Sequence, residues 1–239
     1  MGPGARSIHG VRVLNHKGAS PLDIMLHLGA HRCASTTFQK FLWNNRVSLA
    51  NQGLTTWTPK RTRDGLMLGL MRHPALISVQ DERNAMRSIG RIRIEVERLS
   101  RNRQRGLLIS EENMIGSMRN NVLDTRLYPL LGERQMRFIP AFEGRRLRIA
   151  LCIRAYEDLW TSSLSYLLSR GGTVPNVDLL DFLTTQPRRW RHVIRDIAQV
   201  FPDAEVLVWP FERMAGTPAA QLSALWGKPH GLTEDETLW

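Results

Sequence analysis

Five short apolar runs punctuate the chain, at residues 23–28 (DIMLHL), 54–57 (LTTW), 107–110 (LLIS), 147–153 (LRIALCI) and 205–209 (EVLVW). Each has the length of a strand, and most are too continuously apolar for one face to meet water. The stretches between them are longer and carry apolar residues at helical spacing. Strands that alternate with helices build βα units and a mostly parallel sheet covered on both faces. The expected fold is therefore a single α/β domain with a mostly parallel central sheet flanked by helices. A length of 239 residues suits one such domain. In these folds ligands bind beyond the carboxyl ends of the strands, so the residues that follow each run are where chemistry is sought.

A helix is expected over 35–52, with Phe38, Phe41, Leu42 and Leu49 on its apolar face and Gly53 ending it. Residues 58–78 give no clear period. A long amphipathic helix is expected over 80–104, with Met86, Ile89, Val96 and Leu99 on one side. Two short helices broken near Gly132 fit 120–143. Further helices fit 158–169 (ended by Gly171 and Gly172), 178–185, 189–200 and 218–226. Residues 1–20 read as a loose, Gly-rich lead-in to a domain over 21–239.

Two cysteines, Cys33 and Cys152, exclude a disulfide scaffold and a four-cysteine zinc site. No apolar run is long enough for a transmembrane helix, and residues 1–20 hold no signal-peptide core. A cytoplasmic protein is the expectation. The formal charge is +11, and only four of the 33 basic residues are lysine. Arginine forks match phosphate and sulfate geometry, although a global charge bears on encounter rather than on a site. The densest basic stretch, 91–105, is interleaved with Ile92, Ile94, Val96 and Leu99 and reads as a solvated helix face, not a nucleic-acid arm.

The first run leads into Gly29-Ala30-His31-Arg32-Cys33-Ala34-Ser35-Thr36-Thr37. A small-residue loop entering a helix offers free amides and three hydroxyls to an anion, with Arg32 adding charge. A serine at a helix start also serves simply as a cap. The ATP-binding loop pattern G-x-x-x-x-G-K-[ST] is not met, because Ala34 and Ser35 stand where glycine and lysine belong.

This segment resembles the opening of sulfotransferases that use 3′-phosphoadenosine 5′-phosphosulfate (PAPS), above all the small bacterial type with a loop of the form H-x-G-x-H-K-T-G-S-T-x-x-Q. His27, Gly29, His31, Ser35, Thr36 and Gln39 match; Arg32, Cys33 and Ala34 replace Lys, Thr and Gly. An alanine at 34 calls for an unstrained backbone. A second motif resembles the same family: the fourth run ends in Arg154, and Ser162 follows eight residues later. The resemblance implies a P-loop-like phosphosulfate-binding loop formed by Gly29, Ala30, Arg32, Cys33, Ala34, Ser35, Thr36 and Thr37. It implies that Arg154 and Ser162 share the 3′-phosphate, and that PAPS is the sulfonate donor with no metal required. The acceptor would be a hydroxyl or amine on a glycan, lipid or small metabolite.

Sulfuryl transfer needs a base for the acceptor proton. The third run ends in Ser110-Glu111-Glu112. Strand alternation sends neighbouring side chains to opposite faces, so one of the two carboxylates is expected in the site. Glu112 is favoured, with Glu111 close behind and His31 the alternative; Arg32 completes the catalytic set. Cys33 has a second reading as a nucleophile, and Cys152 reads as core. A magnesium-dependent phosphotransferase and a non-catalytic polyanion or nucleic-acid binder are the competing readings. No metal site and no specific nucleic acid are expected, and neither acceptor identity nor oligomeric state is legible.

Overall fold

The computed structural model describes residues 22–234; the lead-in at 1–20 lies outside the described residues. Five strands form one sheet: β1 Asp23–His27, β2 Leu54–Trp57, β3 Gly106–Ser110, β4 Leu147–Ile153 and β5 Glu205–Pro210. Their order is β2-β3-β1-β4-β5, and every pairing is parallel. The helices are α1 Ser35–Asn44, α2 Arg46–Asn51, α3 Pro59–Arg61, α4 Val79–Arg101, α5 Met118–Leu123, α6 Leu131–Met136, α7 Ile139–Phe142, α8 Tyr156–Leu168, α9 Val177–Thr185, α10 Trp190–Val200, α11 Phe211–Met214 and α12 Pro218–Trp226. α1 packs on α12, α4 on α7 and α6 on α10. All five residues of β3 are buried, as a central parallel strand requires. Among the described residues no helix is long and apolar enough to cross a membrane.

The five runs become strands within a residue at each end; β1, β3 and β4 are largely buried on both faces, which left a nearly continuous apolar signature, while the edge strands β2 and β5 are only partly buried. Gly106 opens β3 where a Cβ would sit 2.7 Å from the terminal methyl of Met25, which would have to move to admit one. α4 starts at a reciprocal cap in which the Ser78 hydroxyl accepts from the Asp81 amide and Asp81 accepts from the Ser78 amide. Its buried face is Ala85, Ser88, Ile92, Val96 and Leu99. Met86, expected inside, is 68% exposed. The core selected the stripe through Ser88, whose hydroxyl donates to the Leu68 carbonyl and thereby makes a polar residue compatible with burial.

Two further expectations change. The helix expected over 35–52 is interrupted at Asn45, whose side-chain amide donates to the Phe41 carbonyl and competes with helix continuation. The region 120–143 holds three short helices, with Gly132 inside α6 rather than at a break.

The strand order places the site. From β1 the chain crosses toward β2 and β3; from β4 it runs to β5 on the other side. Adjacent strands whose continuations diverge open a crevice at their carboxyl ends. The loop 29–34 follows β1, and Arg154 follows β4, so both border that crevice.

Candidate functional site

The β1–α1 loop carries three left-handed residues in six positions: Gly29 at φ 78°, Arg32 at φ 62° and Ala34 at φ 57°. Ala34 therefore does not have the unstrained backbone expected of it. Non-glycine residues there cost on the order of 1 kcal/mol or more, and such strain persists only where neighbours hold it. The Cys152 amide donates to the Gly29 carbonyl. Arg154 Nη1 donates to the Arg32 carbonyl at 2.8 Å. The His31 amide donates to the Tyr128 hydroxyl at 3.0 Å. Gly29 is also where a Cβ would come within 3.1 Å of the Glu112 Cβ, which brings the loop against the end of β3.

α1 begins at Ser35, with Ala34 in the capping position and no side-chain cap. Its first intrahelical bond is donated by Phe38 to Ala34, so the amides of Ser35, Thr36 and Thr37 have no intrahelical acceptor. No acidic residue occupies the first turn. The serine-cap alternative is thus not the arrangement adopted, and the helix start is an electropositive end available to an anion.

Three residues distant in sequence meet here. Arg32 Nε donates to the Ser162 hydroxyl at 2.9 Å, and its guanidinium lies 5.0 Å from the Tyr166 ring centroid. Arg154 reaches the Arg32 carbonyl, with its guanidinium 4.2 Å from the Phe211 centroid. Its Nε is buried with no partner. Arg154 and Ser162 are thus joined through Arg32 and not directly to each other. Neither Arg32 nor Arg154 has a carboxylate within 4 Å among the described residues; Glu212, which accepts from the Ala155 amide, feels the Arg154 charge from farther away.

The two carboxylates after β3 do not separate by strand alternation, because the strand stops at Ser110 and the chain turns at Glu112–Met114. Both converge on Arg63, whose Nη2 lies 2.6 Å from Glu111 Oε1 and 2.8 Å from Glu112 Oε1. Their surroundings differ. The Glu111 side chain is fully buried and also accepts from the Thr62 hydroxyl at 2.5 Å and the Asn113 amide at 3.1 Å. Glu112 keeps 15% of its side chain exposed and accepts from Gln39 Nε2 at 2.7 Å. Burial pushes the Glu112 pKa up, but Gln39, its own backbone amide and Arg63 outweigh that and hold it below the usual carboxylate range. Arg63 is likewise disfavoured by burial yet ends above its ordinary value through Glu111 and Glu112.

Both ring nitrogens of His31 are engaged, Nδ1 with the Tyr128 hydroxyl at 3.0 Å and Nε2 with Asn113 Oδ1 at 3.2 Å. The Tyr128 hydroxyl accepts from the His31 amide, so its proton goes to Nδ1 and the imidazole carries its own proton on Nε2. Burial lowers the His31 pKa, with Glu112 opposing. This neutral, doubly bonded ring orders the loop. Cys33 and Cys152 are both buried free thiols. The hydrogen bond to Cys33, together with burial, pushes the Cys152 thiol up, which leaves it a poor nucleophile. Among the described residues no group of three or more His, Cys, Asp or Glu is placed to hold a metal ion.

Sequence reasoning did not find Arg63, Tyr128 or Asn113. Arg63 lies in the stretch without period, where a short helix widens into the kinked turn Thr62–Leu66. Tyr128, with φ 46°, lies in an irregular loop. Gln39 was visible only through the family pattern. Compared with protein-family models the chain matches none, and it matches no curated protein.

Proposed function

We propose that this chain is a PAPS-dependent sulfotransferase whose P-loop-like β1–α1 loop receives the phosphosulfate. The observation that carries the reading is the meeting of Arg32, Arg154 and Ser162 beside an uncapped helix start, with neither arginine held in an ion pair. The orphaned, buried Arg154 Nε supports it further, since a buried donor without a partner is costly unless a ligand completes it.

In this reading the Ser35, Thr36 and Thr37 amides and Arg32 stabilise charge on the sulfonate and 5′-phosphate, worth more here than in water. Arg154 and Ser162 recognise the 3′-phosphate, with Arg32 exchanging its Ser162 contact for the ligand. Glu112 takes the acceptor proton. It is ionised at neutral pH, partly exposed, and next to the loop through Gly29. Glu111 fixes Arg63, which in turn fixes Glu112. The positive groups come from the protein, so no metal is required.

The test is incubation with PAPS labelled in the sulfonate and a panel of hydroxyl and amine acceptors. Labelled product with release of 3′-phosphoadenosine 5′-phosphate supports the reading. A protein that transfers phosphate from a nucleoside triphosphate only with magnesium would replace it with the phosphotransferase alternative.

A further inference from the structure

Two residues that hold the β1–α1 loop are themselves held by one short segment far along the chain. The Tyr128 hydroxyl accepts from the His31 amide and donates to His31 Nδ1, while Arg154 donates to the Arg32 carbonyl. Consecutive loop residues are thus gripped from two sides. Both grips are reached from the connection between α9 and α10. Gln186 Oε1 accepts from the Leu127 amide at 3.0 Å. Arg188 donates to the Leu127 carbonyl through Nε and to the Tyr128 carbonyl through Nη2, the latter at 2.9 Å. Trp190, the first residue of α10, donates from Nε1 to the Arg154 carbonyl at 2.8 Å.

These bonds end on main-chain atoms, at places where the main chain needs holding. Tyr128 has φ 46°, a left-handed backbone that is costly for an aromatic residue and persists only where neighbours enforce it. Gln186 and Arg188 enforce it from one side, and Asn121, whose Oδ1 accepts from the Tyr128 amide at 2.9 Å, from the other. Arg32, at φ 62°, is the strained loop residue that lies between the two grips. Arg188 is buried, and its charge is met by Asp196 on α10, so its planar fork is fixed relative to that helix. Docking of α10 itself is served by the apolar side chains Val193 and Ile197, which are fully buried.

We propose that Arg188 and Trp190 are positioning residues of the anion site: acting through Tyr128 and Arg154, they set the backbone of His31 and Arg32 and so aim the Arg32 guanidinium at Ser162. Neither residue touches the ligand in this account. Arg188 works on the His31 side, by fixing the turn that presents the Tyr128 hydroxyl. Trp190 works on the Arg32 side, by fixing the carbonyl of the residue whose side chain holds the loop. The control of the loop stands on the hydrogen bonds alone, while its consequence for nucleotide affinity rests on the sulfotransferase reading.

The experiment records NMR spectra of the full chain, following the amides of His31, Arg32 and Cys33 and the ring nitrogens of His31, together with calorimetric binding of 3′-phosphoadenosine 5′-phosphate. Arg188→Lys keeps the charge that Asp196 needs and loses the fork; Trp190→Phe keeps the ring and loses the donor. Both are expected to move the loop amides and to weaken the nucleotide by about 10-fold. Ile197→Val, which trims the core on the same helix, should leave the loop signals in place and the affinity within about 2-fold. Tyr128→Phe should shift the His31 Nδ1 signal, and adding Arg188→Lys to it should cost little further affinity, because the one acts through the other. Unmoved loop signals in Arg188→Lys and Trp190→Phe, equal movement in Ile197→Val, or full additivity with Tyr128→Phe would each overturn the proposal. Should Arg188→Lys fail to fold, Tyr128→Phe, which removes a single oxygen, decides the link: an unchanged His31 ring overturns it. A parent chain that binds no nucleotide removes the sulfotransferase reading, and the loop signals alone then decide the positioning roles.

Discussion

Arg32 Nε donates to the Ser162 hydroxyl at 2.9 Å across 130 positions of sequence, tying the loop after β1 to the helix after β4. The bond spans the crevice between two strands whose continuations diverge, and it leaves the remaining nitrogens of Arg32 facing solvent and the Tyr166 ring. It is the simplest handle on the site because either partner can be removed without opening the core.

Ser162→Ala is expected to leave the melting temperature within a few degrees of the parent, because the bond is exposed. It should weaken 3′-phosphoadenosine 5′-phosphate by roughly 10-fold, the value of one hydrogen bond to a charged group. Titration calorimetry reads both binding constants. Unchanged affinity would separate Ser162 from the ligand.

Glu111 and Glu112 should differ in kind. Glu111→Gln takes a fully buried carboxylate out of its pair with the half-exposed Arg63 and should cost about 1–3 kcal/mol of stability. Glu112→Gln should retain fold and nucleotide affinity while turnover falls by ~10²–10⁴. Denaturant titration and turnover on a found acceptor check the pair. A Glu112→Gln variant with normal turnover would dismiss it as the base.

Ala34 holds a left-handed backbone that glycine adopts without penalty. Ala34→Gly is accordingly expected to stabilise the folded protein by about 1 kcal/mol, less the extra chain entropy glycine brings to the unfolded state. Chemical denaturation measures it. A clear destabilisation would mean that the loop needs the methyl for packing.

His27 is buried with Nδ1 2.8 Å from the Ser110 hydroxyl. Burial lowers its pKa from 6.5 to about 4, with Glu112 opposing. The unfolded chain therefore binds the proton first. Stability is full above about pH 6.5 and falls as pH drops toward 4, by about 3 kcal/mol for a shift of this size. His27→Asn should flatten the stability profile between those limits. A profile as steep as the parent's would place the acid sensitivity elsewhere, His31 being next since its pKa moves the same way.

The inner strands β1, β3 and β4 were legible because both their faces are largely covered, so their residues read as apolar without needing a partner strand to be known. The register and order were not legible; they depend on packing between segments far apart, such as Gly106 against Met25. For the site, Arg32, Arg154 and Ser162 were named through the resemblance to the sulfotransferase motifs, and their convergence is a property of the sheet order. Arg63 was not readable, because a kinked turn has no period, and its partnership with Glu111 and Glu112 is a long-range charge match. Alternation failed at Glu111 and Glu112 because it assumes a strand that the turn at Glu112–Met114 has already ended.

The central claim is recognition of a 3′-phosphonucleotide, and thermal unfolding with two ligands measures it most directly. At ~100 times its dissociation constant, 3′-phosphoadenosine 5′-phosphate should add roughly 2.7 kcal/mol and raise the melting temperature by several degrees, with EDTA present or absent. AMP, which lacks the 3′-phosphate, should shift it far less at equal concentration. Equal shifts from the two nucleotides, or no shift from either, would contradict the account.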